Sequence, residues 1–365
     1  MTGVGGMVSF RAKLVHGMAS RGVEAIDRLR DWPYESVLVI GGTRQLPSLW
    51  RARQRGVRIV QRLDGINWIH RLIRTGWRHF FRAEYGNYML SLIRSRIAHH
   101  IVYQSEFVRL WWDRRYGRID TPSEVIYNGV NLDQFKPMPE TNRPADMLRV
   151  LLVEGSLLGG YEFGLEMALK LVVEIAGGKN LAHSLSNVRA IELEVIGKVD
   201  LRTWNRWDGW LREQKTQLPV CLNWRGVLPH KRIPEALNAA HLLFSSDLNA
   251  ACPNSVVEAI ACGTPVIAFD TGALKELVAD NAGMILPYGG DPWKLDPPDI
   301  PALAQAAKKV LNEQDNFRTR ARSRAEEAFD VNQMVTHYLD ILSPRSDPHP
   351  HSLREGQGDG VKRVT

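Results

Sequence analysis

The chain has 365 residues, 44% of them hydrophobic and 24% charged, with a formal net charge of +7. This excludes a fibrous or disordered chain and gives enough length for two domain cores. The three cysteines (Cys221, Cys252, Cys262) show neither a disulfide framework nor a metal-ligand spacing, so a cytoplasmic setting with no metal is expected.

Gly5 and Gly6 open a helical pattern over residues 7–21 that stops at Gly22. A glycine turn feeding a helix N-terminus is the phosphate-facing device of nucleotide-binding folds. Only residues 1–4 precede it, so the strand that ordinarily comes first is expected to be missing, contributed differently or lost to the start position. Apolar strand-like runs follow at 36–40 and 58–61. Between Arg44 and Arg82 there are ten arginines and one acid, Asp64, with Trp50, Trp68, Trp77, Phe80 and Phe81 interleaved. Such a stretch is either a solvated surface over core aromatics or a face for anionic lipid headgroups or nucleic acid. With no nucleic-acid module in the sequence, nucleic acid is not expected, and peripheral membrane contact through residues 44–82 is. No apolar run is long enough to span a bilayer.

Helical sequence is predicted over 68–99, with strands at 100–104 and 124–127. Asn128-Gly129 is a turn dipeptide and 137–147 a proline-containing linker, which separates a first domain, 1–136, from a second, 148–330. The second half reads strand 148–153, a glycine-rich turn (Gly155, Gly159, Gly160), helix 163–176, strands 192–196 and 222–225, helix 233–240, strand 242–245, helix 255–261 and strand 265–269. Alternation of this kind predicts a doubly wound parallel α/β sheet. Helices 303–312 and 317–328 follow, then a last helix, 331–342, and a tail, 343–365, expected to be disordered.

The chemistry-bearing segment runs from Ala251 to Asp270. A polar turn leads into a helix beginning near Asn254, whose first free amides, around Ser255 and Val256, favour an anion such as a diphosphate. Glu258 lies one turn in. Its carboxylate either accepts hydrogen bonds from a ribose diol or only complements the positive end of its helix.

Four stretches together resemble a known family: Gly5-Gly6 with Leu14 and Arg21-Gly22; Val125-Ile-Tyr-Asn-Gly-Val-Asn-Leu-Asp-Gln-Phe-Lys-Pro137; Gly226-Val-Leu-Pro-His-Lys-Arg-Ile-Pro234; and Asn254 to Pro265. They are similar to the retaining glycosyltransferases of GT-B fold (glycosyl transferases group 1, family 4 type). The resemblance implies two Rossmann-like domains facing a cleft, an acceptor side in the first and a donor side in the second. It also implies that helix 331–342 crosses back to the first domain. The implied reaction moves a sugar from a UDP- or GDP-sugar co-substrate to a hydroxyl of a saccharide or lipid-linked acceptor, with retention and no other cofactor.

On the donor side the resemblance places Glu258 on the ribose, Asn254, Ser255 and Val256 at the phosphates, and Gly155, Ser156, Gly159 and Gly160 nearby. On the acceptor side it places Gly5, Gly6 and Arg62, with Asp64 where the family often has a catalytic histidine. Two departures stand out. The family's first glutamate, eight positions before Glu258, is Ala250, and of its diphosphate-binding pair the arginine is Ser156 and no lysine follows before Lys170. An anion nest of backbone amides, or a cation from Arg225 or Lys231, would have to compensate. The alternative is a GT-B nucleotide- or sugar-binding protein with impaired catalysis.

Overall fold

The computed structural model describes residues 6–43, 45–73, 76–139, 143–158, 162–177, 187–343 and 363–364. The chain divides into two compact units. The first comprises residues 1–67, 76–129 and 331–365, and the second residues 68–75 and 130–330.

Unit 1 begins with α1 (Gly6–Ala19), followed by β1 (Glu24–Ala25), β2 (Ser36–Ile40), α2 (Leu46–Gln54), β3 (Arg58–Leu63), α3 (Trp77–Leu92), β4 (His100–Tyr103), α4 (Glu106–Tyr116) and β5 (Ser123–Val125). The helix predicted over 68–99 is shorter. Gly76, at a positive φ of 88°, starts α3, and a π turn over Ile93–Ile97 ends it. Strands β3 and β4 are buried on both faces, so neither alternates polar with apolar residues, although β3 buries Gln61 and Arg62 among its apolar side chains.

The parallel sheet of unit 1 runs β1-β12-β2-β3-β4-β5, where β12 is Arg363–Val364 at the C-terminal end. The expectation of a disordered tail is therefore corrected at these two residues. Val364 is buried among Phe10, Leu14, Val60, Val102 and Tyr338, with β12 seated between β1 and β2. Burying an apolar side chain and pairing an otherwise open strand edge both favour the position. Residues 344–362 lie outside the described residues.

Helix α12 (Val331–Leu342) belongs to unit 1. Its approach depends on two glycines: a Cβ at Gly17 of α1 would meet Val335 Cγ2 at 2.6 Å, and one at Gly129 would meet Val331 Cα at 2.6 Å. Phe10 and Tyr338 rings meet at 5.1 Å across the same seam.

Unit 2 contains β6 (Met147–Ser156), α5 (Phe163–Gly177), β7 (Ala190–Lys198), α6 (Leu201–Arg212), β8 (Val220–Gly226), α7 (Ile233–Ala239), β9 (Leu242–Phe244), α8 (Asn254–Ala261), β10 (Val266–Phe269), α9 (Leu274–Leu277), β11 (Gly283–Leu286), α10 (Ile300–Asn312) and α11 (Gln314–Ala328). Its parallel sheet runs β11-β10-β9-β6-β7-β8. The chain starts in the middle at β6, moves outward to β8, then returns to β9 on the other side of β6. The topological switch point therefore lies between β6 and β9, where doubly wound sheets bind ligands at the carboxyl ends of their strands. One face of β7 puts Ile191, Leu193 and Val195 into the core against α5 and α10. The other carries Glu192 and Glu194, which pair with Arg149 at 2.6 and 3.3 Å; Glu194 also pairs with Arg225 at 2.7 Å.

Candidate functional site: the carboxyl ends of the unit 2 strands

Helix α8 follows β9 through the loop 245–253, which lies against Gly272. A Cβ at Gly272 would meet the Ala250 amide nitrogen at 2.4 Å, and Ala273 N–H donates to the Ala250 carbonyl at 2.9 Å. The loop leaves no room for a side chain at 272, and Asn249 turns through a positive φ of 55°. Pro253 caps α8, and the first intrahelical bond is made by Val257 N–H to the Pro253 carbonyl at 3.3 Å. The amides of Asn254, Ser255 and Val256 thus precede the intrahelical ladder, at the positive end of the helix dipole.

Glu258 is 5% exposed, and its Oε1 lies 2.8 Å from Nε2 of His230. His230 starts the 3₁₀ turn His230–Arg232 before α7, and its ring lies against Phe135 at 5.1 Å. Sequence reasoning included His230 only as a letter in the Gly226–Pro234 stretch and missed its partnership with Glu258. The signal available was a histidine following a Gly-x-x-Pro turn at the edge of the same strand layer. The opposite end of α8 is held by Arg322 of α11, whose Nη1 donates to the carbonyls of Ala261 and Phe135, each at 2.9 Å.

At the switch point itself the structure brings together residues that the sequence did not connect. Glu154, near the end of β6, accepts a hydrogen bond from Ser246 Oγ at 2.9 Å. A Cβ at Gly164, in the first turn of α5, would meet the same Oγ at 2.5 Å, so α5 also begins here. Asp247 follows directly, its carbonyl accepting from Thr271 Oγ1 at 3.2 Å. Burial pushes Asp247 up to about 6. Burial and then the Asp247 charge push Glu154 well above the usual carboxylate range. Two carboxyl groups thus share the crevice.

Gly155 and Ser156 are exposed at the end of β6, and Gly159 and Gly160 lie outside the described residues. The β6–β7 pairing shifts register here, bringing Ser156 opposite Lys198. This approach requires Gly197, where a Cβ would fall 2.1 Å from the Glu154 carbonyl oxygen. The exposed Lys198 is the cation that the fold places beside the post-β6 loop. Of the two cations considered from sequence, Arg225 is engaged with Glu194, and Lys231 is exposed in the His230–Arg232 turn.

The acceptor-side residues lie in unit 1. Gly6 starts α1, and Gly5 is outside the described residues. Asp64 follows β3, its carbonyl accepting from Trp112 Nε1 at 2.8 Å. Arg62 is 1% exposed, donates from Nη2 to Asn128 Oδ1 at 2.7 Å and stacks over Phe10 at 3.8 Å. Other arginines of the 44–82 run also have internal duties. Arg53 donates to the carbonyls of Ile97 and Ala98, and Arg58 donates to that of Ile341. The basic run is therefore not one surface.

Among the described residues no group of three or more His, Cys, Asp or Glu side chains is arranged to hold a metal ion, and no helix is long and apolar enough to cross a membrane. The three cysteines form no disulfide, and burial pushes Cys262 up to about 12, which keeps it a neutral thiol.

Residues 179–328 match the family described as Glycosyl transferases group 1. Among curated proteins, a D-inositol 3-phosphate glycosyltransferase of Streptomyces scabiei is 25% identical over 213 residues, covering 55% of this chain and 47% of the relative. A 2-deoxystreptamine N-acetyl-D-glucosaminyltransferase of Streptomyces fradiae is 28% identical over 94 residues, covering 26% of this chain and 20% of the relative. The chain thus spans less than half the length of either. Among solved structures, WaaG, a glycosyltransferase involved in lipopolysaccharide biosynthesis, superposes with a TM-score of 0.63 at 15% identity, over 93% of this chain and 97% of that one. Anabaena Alr3699/HepE in complex with UDP-glucose gives 0.58 at 17% identity, over 84% and 78%. Residues 179–328 are thus similar to the glycosyl transferases group 1, and the chain has the GT-B fold of solved glycosyltransferases, with a Rossmann-like parallel sheet in each unit.

Proposed function

We propose that the protein is a glycosyltransferase that moves a sugar from a UDP- or GDP-sugar to a hydroxyl of a saccharide or lipid-linked acceptor, with retention. In this role it acts in polysaccharide or glycoconjugate synthesis on the cytoplasmic side of a membrane. The observation that carries the reading is Glu258, a nearly buried carboxylate one turn into α8 and oriented by His230 at 2.8 Å.

In this reading the ribose diol donates to Glu258, and the diphosphate lies at the first amides of α8, around Ser255 and Val256, with Asn254 beside it. As the bond from the anomeric carbon to the diphosphate breaks, negative charge grows on the leaving oxygens and positive charge on the sugar ring. Pre-oriented amides at a helix N-terminus stabilise that leaving group without reorganising. Lys198 adds a cation from the neighbouring strand, in place of the arginine that Ser156 replaces. Asp64 orients the acceptor hydroxyl and takes its proton as the new bond to the anomeric carbon forms. Anabaena Alr3699/HepE, solved with UDP-glucose, supports a UDP-linked donor.

One observation favours a second reading, a nucleotide- or sugar-binding protein with impaired catalysis. The Glu154–Asp247 pair occupies the switch point, where ionised carboxylates oppose a diphosphate. Nucleotide-sugar binding measured by calorimetry, followed by a donor-hydrolysis and transfer assay, separates the two. Binding with turnover supports the transferase, and binding with neither hydrolysis nor transfer supports the second reading.

A further inference from the structure

In unit 1 the segment 28–34, which leads into β2, lies along α2 and encloses with it a cavity of about 490 Å³. Small-molecule sites have this size. The wall made by 28–34 is fixed from within. Tyr34 is buried, its hydroxyl donates to the Leu29 carbonyl at 2.9 Å, and its ring meets Trp32 edge-on at 5.2 Å. The facing wall presents Ser48, Arg51 and Arg55, which are three and four residues apart and therefore share one face of α2.

Among the described residues four arginines line the cavity, Arg28, Arg30, Arg51 and Arg55, and no acid does. Only Arg30 has a described carboxylate in reach, Asp31 at 3.9 Å, while Asp27 is paired with Arg11. Other arginines of this unit are satisfied internally. Arg53 donates to the Ile97 and Ala98 carbonyls, and Arg94 to Tyr103, Asp113 and the Gly117 carbonyl. Like charges one helical turn apart and across a cavity repel, and a bound anion removes that cost. Arg55 is stacked over the Trp32 ring at 5.4 Å, which orients the guanidinium and leaves its N–H edge for an oxyanion in the same plane.

Guanidinium groups match phosphate with paired hydrogen bonds. The cavity has more room than a phosphate needs, and Leu29 and Trp32 line it with apolar surface. We propose that this cavity binds a small organic phosphate, its oxyanion held by Arg28, Arg51 and Arg55 and its carbon skeleton set against Trp32. The inference goes beyond sugar transfer, because the cavity is separate from both substrate sides. Residues 28–34 lead into β2 and 51–55 into β3, so the guanidiniums adjoin the amino ends of those strands. Asp64 follows the carboxyl end of β3, and Glu258 belongs to unit 2.

The test is calorimetry of the full chain with glucose 6-phosphate, inorganic phosphate and glucose, with melting followed in parallel. The wild type is expected to bind glucose 6-phosphate about tenfold more tightly than inorganic phosphate, more weakly as salt rises, and not to bind glucose. Arg51→Gln/Arg55→Gln is expected to lose about tenfold in affinity for glucose 6-phosphate, as is Arg28→Gln on the facing wall. In phosphate-free buffer the double variant is expected to melt at or above the wild-type temperature, because like charges have been removed. Nucleotide-sugar binding is expected to be unchanged in both variants, so failure of the donor reading and failure of this one are distinguishable. Arg28→Gln carries the test by itself if the double variant does not fold. Absence of glucose 6-phosphate binding by the wild type overturns the proposal, as does equal affinity for inorganic phosphate. Wild-type affinity in the folded variants overturns it too.

Discussion

Glu258 and His230 form a pair whose separate parts carry different information in the sequence. The glutamate is legible because a helix start, a polar turn and a carboxylate one turn in form a local pattern. The histidine is 28 residues away, and only the adjacency of α7 and α8 brings Nε2 within 2.8 Å. Removing it leaves the carboxylate without that partner, so His230→Ala is expected to weaken nucleotide-sugar binding about tenfold, a loss of the size of one hydrogen bond to a charged group. Isothermal calorimetry measures this directly. Glu154 and Asp247 were equally invisible, because a carboxyl before Gly155 and another after two serines have no joint signature along the chain. Asp247, raised to about 6, binds its proton more tightly in the folded protein than in the unfolded one. Its contribution to stability is complete below the unfolded value and is lost as pH rises through about 6. Accordingly, Asp247→Asn is expected to raise the urea midpoint at pH 8 relative to wild type and to flatten its decline between about pH 4 and 6. Nucleotide-sugar affinity is expected to increase severalfold from pH 8 to 5.5 in the wild type and much less in Asp247→Asn, as protonation removes a charge facing the diphosphate.

Element by element, the strands of unit 1 were the most legible, since β2 and β4 carry the apolar runs that parallel sheets favour and β3 carries Ile59 and Val60 before the buried Gln61 and Arg62. The short elements β1 and β9 owe their pairing to β12 and β6, far away in sequence, while β11 pairs with the nearby β10; β1 and β11 were not predicted. Helix α6 was missed as well, its tryptophans and Gly209 interrupting the usual helix-forming composition. Gly17 reverses the usual expectation for a glycine inside a helix. Its propensity cost is accepted because Val335 of α12 fills the space. Gly17→Val is therefore expected to destabilise unit 1 by about 1–3 kcal/mol through overpacking, measured by urea unfolding. Strand β12 is tested in the same way. Val364→Ala, which removes apolar contacts from the core around Phe10, is expected to cost about 1–2 kcal/mol. No change in the unfolding midpoint would mean that β12 does not occupy its place beside β2 in solution.

At the scale of the whole molecule, two units with separate cores and sheets are expected to unfold in two transitions. A donor held by α8 stabilises only the unit that contains it, so saturating nucleotide sugar is expected to raise the unit 2 transition and leave that of unit 1 in place. The fold was legible from sequence because strand–helix alternation and turn glycines recur in both halves. The donor side was only half legible, because the family resemblance covers Glu258 and α8 but not the carboxyl pair that stands in the crevice beside them. The central claim is that Glu258 holds the donor. Calorimetric titration of wild type and Glu258→Ala with the nucleotide sugar that most raises the melting temperature, followed by a transfer assay, tests it most directly. The account expects loss of binding by about a hundredfold or more and loss of turnover, with the fold intact by circular dichroism. Wild-type affinity and wild-type turnover in Glu258→Ala would contradict it.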